Sequence, residues 1–304
     1  MNLTENTQNK IPRVCAAHDL SGFGRVSLTE VIPCLAAMGV EVCPLPTAVL
    51  STHTYKFTDY SFFDLTAEMR NMTKHWEKLG VCFDAVYTGY LGSGAQFEIL
   101  SDFIDRCRKN GSKIIVDPVL GDNILSDCSS VYSDRMNDVL VGMKNLIKKA
   151  DIIKPNFTEV SLLLDKPYES GYIPDEKIAG YMRELSAKGP SYIAATSVMT
   201  GENEMSVVAY EKDTDKVYKI DCGYVGKPFH GTGDIFASIL TGAFVRGIDF
   251  LTACRTAADF VRRAIEETLK HSELKTVNGV CFEQILVKYF SGETALPEFT
   301  EIKI

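Results

Sequence analysis

The chain has 304 residues, of which 45% are hydrophobic and 24% are charged, a balance that is typical of folded globular proteins and excludes a disordered chain. A formal net charge of −8 without a basic run argues against nucleic-acid and membrane partners. A polyanion such as ATP stays possible, because backbone amides and Mg²⁺ can supply local positive potential. Nine cysteines without a C-x-x-C pair, no apolar run near the ~20 residues of a membrane span, and a polar N-terminus predict a cytoplasmic protein.

Short apolar runs rich in β-branched residues alternate with longer segments of helical period. The strand candidates, in chain order, are Arg13–Ala17, Val40–Leu45, Ala85–Thr88, Lys113–Val116, Asp151–Ile153 and Ser191–Ala195. The helix candidates among them are Ser27–Met38, Asp64–Leu79, Ala95–Asn110, Arg135–Ala150 and Asp175–Lys188. A hairpin of Ser206–Tyr210 and Val217–Asp221 follows, and then two helices, Gly233–Arg246 and Phe250–Leu269.

This order of elements predicts an α/β fold with a mostly parallel central sheet and helices on both of its faces. No repeat or linker marks a boundary, so we expect residues 12–304 to form a single domain behind a flexible N-terminal tail, residues 1–11. Ligands of such sheets bind beyond the carboxyl ends of the strands. Polar and glycine-rich segments recur at these ends, which predicts one active-site rim.

The segment with the clearest chemical meaning is Gly231-Thr232-Gly233-Asp234. Its glycines let consecutive amides point one way, and the helix that follows adds the positive end of its dipole, so the segment can form an anion hole. An aspartate in a first helical turn also stabilises the helix, so this pattern alone leaves a structural role as open as a catalytic one. It is neither a Walker A loop nor a dinucleotide fingerprint.

Acidic residues follow two other predicted strands. Asp117 ends one strand before a proline, and Asn156 and Glu159 stand three apart after another. Carboxylates at such positions suit a hydrated Mg²⁺, which also takes phosphate oxygens as ligands. An Asp-Pro turn and a helix N-terminus explain the same residues without a ligand, and taken alone the structural role is favoured.

A glycine-rich run from His18 to Arg25 follows the first predicted strand. Glycines let the backbone approach a flat ligand, and His18, Asp19 and Ser21 offer hydrogen bonds to a heteroaromatic ring. Thr47 and His53 offer similar groups after the second strand. Such turns are also common without ligands, so the first segment leaves both interpretations open, and the second slightly favours a structural role.

Together and in this order, the segments resemble those of the pyridoxal/pyridoxamine kinases of the ribokinase-like superfamily. The resemblance spans about residue 13 to about residue 265 and rests on the run from His18 to Arg25, the stretch from Gly39 to Thr54, Thr88-Gly-Tyr-Leu-Gly, Asp117-Pro-Val-Leu-Gly-Asp, Pro155-Asn-x-x-Glu159 and Gly231-Thr-Gly-Asp234. It implies a ribokinase-like three-layer fold and ATP-dependent phosphorylation of the 5′-hydroxymethyl group of a B6 vitamer, which is pyridoxal, pyridoxamine or pyridoxine. It also implies a homodimer that uses ATP and Mg²⁺, and it leaves a requirement for K⁺ open.

The resemblance implies a role for individual residues as well. Asp234 would be the catalytic base, and the amides of Gly231, Thr232 and Gly233 would form the anion hole. The residues implied near ATP are Asp117, Asp122, Lys154, Asn156, Glu159, Thr196 and Ser197, with Asp117 and Glu159 also at Mg²⁺. The residues implied around the vitamer are His18, Asp19, Ser21, Thr47, His53 and Tyr132, the last of them on a lid, Asn123–Met136.

Two other functions compete with this interpretation. A hydroxymethylpyrimidine kinase of thiamine synthesis would share the fold and a similar flat substrate. A non-catalytic protein that binds a vitamer or ATP would share the scaffold, but it has no need of Asp234 as a base. Lys154 departs from the family, whose members usually carry threonine there, so its role stays open.

Overall fold

The described residues fold around a ten-stranded sheet. The computed structural model describes residues 11–54, 57–120, 134–223, 226, 229–271, 278–289 and 299–302. The strands are β1 (Arg13–Ser21), β2 (Glu41–Leu50), β3 (Phe62–Asp64), β4 (Ala85–Thr88), β5 (Lys113–Val116), β6 (Ile152–Ile153), β7 (Tyr192–Met199), β8 (Met205–Glu211), β9 (Lys216–Asp221) and β10 (Phe299–Ile302). Their order across the sheet is β10-β9-β8-β7-β6-β5-β4-β1-β2-β3.

The middle of the sheet is parallel and its two margins are antiparallel. The strands from β7 through β6, β5, β4 and β1 to β2 run parallel, whereas β3 at one margin and β8, β9 and β10 at the other run antiparallel to their neighbours. Parallel strands are covered on both faces, which is why the central ones are continuous apolar runs. All four residues of β4, for example, are buried.

Helices cover both faces of this sheet. They are α1 (Leu28–Ala37), α2 (Thr66–Lys78), α3 (Gly94–Lys109), α4 (Asp134–Leu146), α5 (Phe157–Leu163), α6 (Asp175–Ala187), α7 (Thr232–Val245), α8 (Phe250–Leu269) and α9 (Glu283–Tyr289). One core, which includes Val31, Ile239 and Phe260, lies under α1, α7, α8 and α9. The other, which includes Met69 and Leu100, lies under α2 to α6. The predicted α/β architecture is therefore confirmed.

Three strands are longer than the sequence predicts, and this changes where several candidate residues lie. β1 continues through Ser21 and β2 through Leu50, so His18, Asp19 and Thr47 lie within strands and not after them. The pairing of β1 with β2 shifts between His18 and Leu20, and that of β7 with β8 shifts between Ala195 and Val198. Such bulges let a strand continue past residues that break the regular alternation.

The topology points to a crevice between β1 and β4. The chain passes from β1 to β2 on one side and later returns to β4 on the other side of β1. Ligands of doubly wound sheets bind where the strand order reverses in this way, beyond the carboxyl ends of the strands. His18, near the end of β1, and the glycine that directly follows β4 lie at this point.

Candidate active site

Asp234 lies in the first turn of α7, behind a glycine that turns the chain into the helix. Gly231 is the N-cap residue and has a φ of 80°, a left-handed conformation that glycine adopts without strain. The first amides of a helix have no partner within the helix, so those of Gly231, Thr232 and Gly233 are placed to receive an anion. The predicted anion-hole residues thus stand together with Asp234 at one helix end.

The carboxyl group of Asp234 is held by a backbone amide. The amide of Ser27 donates a hydrogen bond to Asp234 Oδ2 over 2.8 Å, and the Asp234 side chain is 16% exposed. Burial and the nearby Asp117 carboxylate raise the pKa of Asp234 to about 7, against the opposing effects of the Ser27 amide and the Lys154 ammonium. Asp234 can therefore exchange a proton near neutral pH.

His18 lies beside Asp234 and is fully buried. Its Nδ1 is 4.0 Å from Asp234 Oδ1, and its ring meets the edge of Tyr87 at a centroid distance of 4.4 Å. Burial and the positive charge of Lys154 lower the pKa of His18 to about 3, so the imidazole is neutral. Neither ring nitrogen has a hydrogen-bond partner among the described residues, and a buried polar atom of this kind often marks the position of a ligand or water.

A buried ion pair lies next to the glycine loop. Lys154 Nζ is 2.8 Å from Asp117 Oδ2, and the two side chains are 6% and 2% exposed. Burial alone would lower the pKa of Lys154, but the Asp117 and Glu159 carboxylates raise it overall, so the ammonium is charged. A Cβ on Gly233 would lie 2.9 Å from Nζ, which brings this charge close to the predicted anion hole.

Glu159 forms the capping box of α5. Its Oε2 accepts the amide of Asn156 at 2.8 Å, and the side chain of Asn156 accepts the amide of Glu159 at 2.9 Å. Glu159 Oε1 also accepts the amide of Leu120 at 3.1 Å. The helix-capping interpretation of Asn156 and Glu159 is therefore correct, and the buried Glu159 carboxylate still lies close enough to Lys154 to raise the pKa of that lysine.

Thr196 and Ser197 lie at the bulge of β7, and not beyond its end as the sequence suggests. The amide of Thr196 donates to the carbonyl of Pro155 at 2.8 Å, so this bulge adjoins the segment that carries Lys154 and Asn156. Ser197 is exposed and has a φ of 58°. The two residues thus border the predicted ATP side.

The predicted vitamer residues divide between polar and aromatic contacts. Asp19 is 6% exposed, and its two oxygens accept the hydroxyls of Ser27 at 2.5 Å and Ser21 at 2.9 Å. Thr47 is fully buried and donates its hydroxyl to the carbonyl of Tyr90 at 3.0 Å. The side chains of Asp19, Ser21 and Thr47 therefore already have partners within the protein.

His53 belongs to an aromatic group that joins the predicted vitamer side to the glycine loop. Its ring stacks on that of His230 at a centroid distance of 5.2 Å and an interplanar angle of 19°. It meets the edge of Phe57 at 4.9 Å, and Phe57 in turn meets Phe23 at 6.0 Å. Because His230 directly precedes Gly231, this group places a flat aromatic surface next to the predicted anion hole.

Comparison with known proteins identifies the family. The profile of the family described as phosphomethylpyrimidine kinase matches residues 32–278, well over half of the chain. The chain belongs to this family. Two crystal structures of a Bacteroides thetaiotaomicron protein assigned as a phosphomethylpyrimidine kinase superpose on it with TM-scores of 0.89 and 0.87, at 42% and 40% identity. They cover 97% and 96% of this chain and 99% and 100% of the other, and the second contains pyridoxal.

Curated relatives include kinases of two substrate types. A pyridoxal kinase of Corynebacterium diphtheriae is 26% identical over 251 residues, which cover 81% of this chain and 86% of the relative. A hydroxymethylpyrimidine/phosphomethylpyrimidine kinase of Bacillus subtilis is 30% identical over 188 residues, which cover 61% and 65%. The predicted ribokinase-like fold, the relationship to pyridoxal kinases and the assignment as a kinase are confirmed.

Two predicted site residues, Asp122 and Tyr132, lie outside the residues that the structure describes. Most of the predicted lid, Asn123–Met136, lies outside them as well. Three residues that contact the site were not among the sequence candidates: Ser27, Glu30 and His230. The adjacency of His230 to Gly231 was a usable signal, whereas nothing in the local sequence indicates that Ser27 or Glu30 would reach α7.

No helix within the described ranges has the length and apolarity that crossing a bilayer requires.

Glu30, on α1, lies directly beneath the glycine loop and is fully buried. A Cβ on Gly231 would fall 2.5 and 2.6 Å from its two carboxyl oxygens, so the loop passes closely over this side chain. Neither oxygen has a hydrogen-bond partner in the described part of the chain. Burial and the Asp234 and Glu283 carboxylates raise the pKa of Glu30 well above its ordinary value, which favours the neutral acid.

Proposed function

We propose that this kinase transfers the γ-phosphoryl group of ATP to the 5′-hydroxymethyl group of a B6 vitamer, with Asp234 as the base. The observation that carries the proposal is the carboxyl group of Asp234, which the Ser27 amide holds in the first turn of α7 behind Gly231 and whose pKa is raised to about 7. A general base works best when its pKa lies near the operating pH. The pyridoxal in the relative at 40% identity supports a B6 vitamer as the substrate.

In the proposed reaction the substrate oxygen forms a bond to the γ-phosphorus while the bond from that phosphorus to the bridging oxygen breaks. ADP leaves, and the proton of the alcohol passes to Asp234. The amides of Gly231, Thr232 and Gly233 stabilise the charge on the transferring group, and the ammonium of Lys154 adds to this field. In phosphoryl transfer most of the rate enhancement comes from such positioning and charge stabilisation.

The carboxyl groups of Asp117 and Glu159 near Lys154 suit a magnesium ion that arrives with ATP, because the phosphates bring further oxygen ligands. The described residues contain no cluster of three or more acidic, histidine or cysteine side chains that could hold a metal by itself. Mg²⁺ takes one or two carboxylates together with phosphate oxygens and keeps several waters. Asp117 and Glu159 would hold it, and the ion would neutralise charge on the phosphates.

His18 and the aromatic group around His53 form the proposed vitamer side. A neutral imidazole with two unpartnered nitrogens can accept one hydrogen bond and donate another to a polar group of the ligand. The stacked rings of His53 and His230 offer the flat contact that a heteroaromatic ring prefers. Because Asp19 and Thr47 already have partners, we propose that they shape this pocket through those contacts.

A hydroxymethylpyrimidine kinase is the second candidate, and the family profile and the Bacillus subtilis relative favour it. Its substrate also carries a hydroxymethyl group on a flat nitrogen heterocycle, so base and anion hole would act in the same way. The two candidates differ in the ring that contacts His18 and His53. Turnover therefore has to be measured with both substrate types.

We would measure steady-state ATP turnover with pyridoxal, pyridoxamine, pyridoxine and hydroxymethylpyrimidine for the wild type and Asp234→Asn. We expect the highest kcat/KM with a B6 vitamer and a loss of on the order of 10²-fold or more in kcat for the variant, as removal of a general base causes. A higher kcat/KM for the pyrimidine would select the second candidate. Binding of a vitamer or ATP without turnover by the wild type would instead indicate a non-catalytic binding protein.

The homodimer, the cytoplasmic location, the use of K⁺ and the lid stay predictions. The first three have a direct measurement: light scattering for the oligomer, fractionation for the location, and turnover with and without added K⁺. For the cation, Lys154 already supplies a positive charge among the carboxylates. We therefore expect little stimulation by K⁺.

A further inference from the structure

Ser27 has an unusual backbone conformation at the start of α1. Its φ is 53° and its ψ is −137°, in a region that residues other than glycine rarely adopt. Serine at the N-cap normally accepts an amide of the first helical turn with its side chain, but Ser27 makes no such bond. Strained residues without a local capping role are often held in place for a functional reason.

The conformation of Ser27 connects two acidic residues from different elements. Its amide donates to Asp234 Oδ2 at 2.8 Å, and its hydroxyl donates to Asp19 Oδ1 at 2.5 Å. Asp19 is fixed in turn, because its other oxygen accepts the hydroxyl of Ser21 at 2.9 Å. A continuous set of hydrogen bonds therefore runs from the end of β1 through Ser27 to the carboxyl group on α7.

The amide of Ser27 stabilises the charged form of Asp234 in surroundings that mostly oppose it. The titratable groups that face Asp234 from the neighbouring elements are His18 and Asp19 on β1, Glu30 and Cys34 on α1, Tyr87 on β4, Asp117 after β5 and Lys154 after β6. A hydrogen bond to a carboxylate favours its ionised form and fixes its orientation. A shift of this amide would change both where Asp234 points and the pH at which it accepts a proton.

We propose that Ser27 is a positioning residue, whose hydroxyl is held by Asp19 so that its amide fixes the Asp234 carboxylate. The proposal rests on the proposed function only in taking Asp234 as the base. It also gives Asp19 a role through Ser27, and not through contact with the vitamer.

The test compares Ser27→Ala, Asp19→Asn and the double variant with the wild type, using the pH dependence of kcat and kcat/KM. We expect kcat to fall roughly tenfold in Ser27→Ala, the acidic limb to move to higher pH, and KM for the vitamer to change little. Because both residues act through one hydrogen bond, the double variant should lose no more than the stronger single variant. A selective rise in KM for Asp19→Asn would make Asp19 a vitamer contact and overturn its proposed role.

A matched control separates positioning from a general effect of alanine at a strained backbone position. Asp165 also has a positive φ, 56°, and lies exposed at the end of α5, so Asp165→Ala makes the same kind of change away from the site. We expect this variant to keep the wild-type pH profile. An unchanged kcat and an unchanged acidic limb of the pH profile in folded Ser27→Ala, or an equal shift of that limb in Asp165→Ala, would overturn the proposal.

A readout without turnover keeps this test separate from that of the proposed function. The carboxyl ¹³C signal of Asp234, assigned by its loss in Asp234→Asn, reports the pKa of this group in the protein alone. We expect that pKa to be higher in Ser27→Ala than in the wild type, whichever alcohol is the substrate. Equal values in the two proteins would contradict the positioning role even if the kinase activity is confirmed.

Discussion

The acidic residues near the glycine loop at the start of α7 differ in whether a cation accompanies them. Asp117 has the ammonium of Lys154 at 2.8 Å. Asp234 and Glu30 form no ion pair with a lysine or arginine of the described residues. Carboxyl groups of similar chemistry near one loop therefore lie in different electrostatic surroundings.

The comparison explains why Asp234, and not Asp117, suits the role of base. A buried carboxylate that is paired with an ammonium keeps its charge and has little tendency to take up a proton. Burial without such a partner raises the pKa, to about 7 for Asp234 and in the same direction for Glu30. Of these two acids, only Asp234 has a partly exposed side chain and accepts a hydrogen bond from the Ser27 amide.

Removing the Lys154 ammonium should abolish the difference between the two sets of acids, and we expect the largest effect from this change. Lys154→Met leaves the buried Asp117 carboxylate without the ammonium that accompanies it, which we expect to lower the free energy of unfolding by about 3–5 kcal/mol. It should also raise the pKa of Asp234, because Lys154 now lowers it. Urea denaturation gives the first quantity, and the ¹³C titration of Asp234 gives the second.

Two controls make the Lys154→Met result specific. Removing both charges with Asp117→Asn and Lys154→Met should recover most of the lost stability, since no unpaired charge then stays buried. Lys144→Met removes a lysine from an exposed ion pair with Asp165 and should change stability little. Equal losses for the lysine variants at both sites would contradict the importance of burial.

Replacing Glu30, the other acid without an ion pair, should have a smaller effect on stability than the loss of Lys154. The pKa of Glu30 is higher in the folded protein than in the unfolded chain. The stability that the protonated Glu30 carboxyl group contributes is therefore fully present below the pKa of the unfolded chain, and it is lost as the pH rises through the folded-state pKa. The neutral Glu30→Gln avoids that loss. We expect it to be more stable than the wild type at pH 8, by at least about 1 kcal/mol.

The pH dependence of unfolding decides this prediction. The advantage of Glu30→Gln should shrink at pH 5, where the wild-type carboxyl is protonated in the folded protein. Denaturant titrations at the two pH values measure it. Parallel pH profiles for the two proteins would mean that Glu30 does not titrate differently on folding.

The sequence predicts the regular part of the fold well, because hydrophobic period and β-branched runs reflect burial directly. β4, β5 and α8 have the bounds predicted for them. The ends of β1, β2 and β7 were placed too early, since bulges at Asp19 and at Thr196–Ser197 let polar residues continue a strand. The short β3, α9 and β10 were missed because three to seven residues carry too little periodic signal.

The site was predictable where one local segment carries the chemistry, and less so where distant segments meet. The run from Gly231 to Asp234 forms the glycine-led helix start that its composition suggests, with Asp234 in the first turn of α7. The bond from Ser27 to Asp234 spans 207 positions and uses a backbone amide, which no side-chain pattern can reveal. The raised pKa of Glu30 likewise depends on tertiary burial.

The pH dependence of kcat/KM for the wild type tests the central assignment most directly. We expect activity with a B6 vitamer to fall below an apparent pKa of about 7, as protonation removes the base. This acidic limb of the pH profile should lie at the same pH for two vitamers whose rings titrate differently. It should be absent from the pH profile of the residual activity of Asp234→Asn. A level profile from about pH 5.5 to 8.5, or an unchanged limb in that variant, would contradict Asp234 as the base.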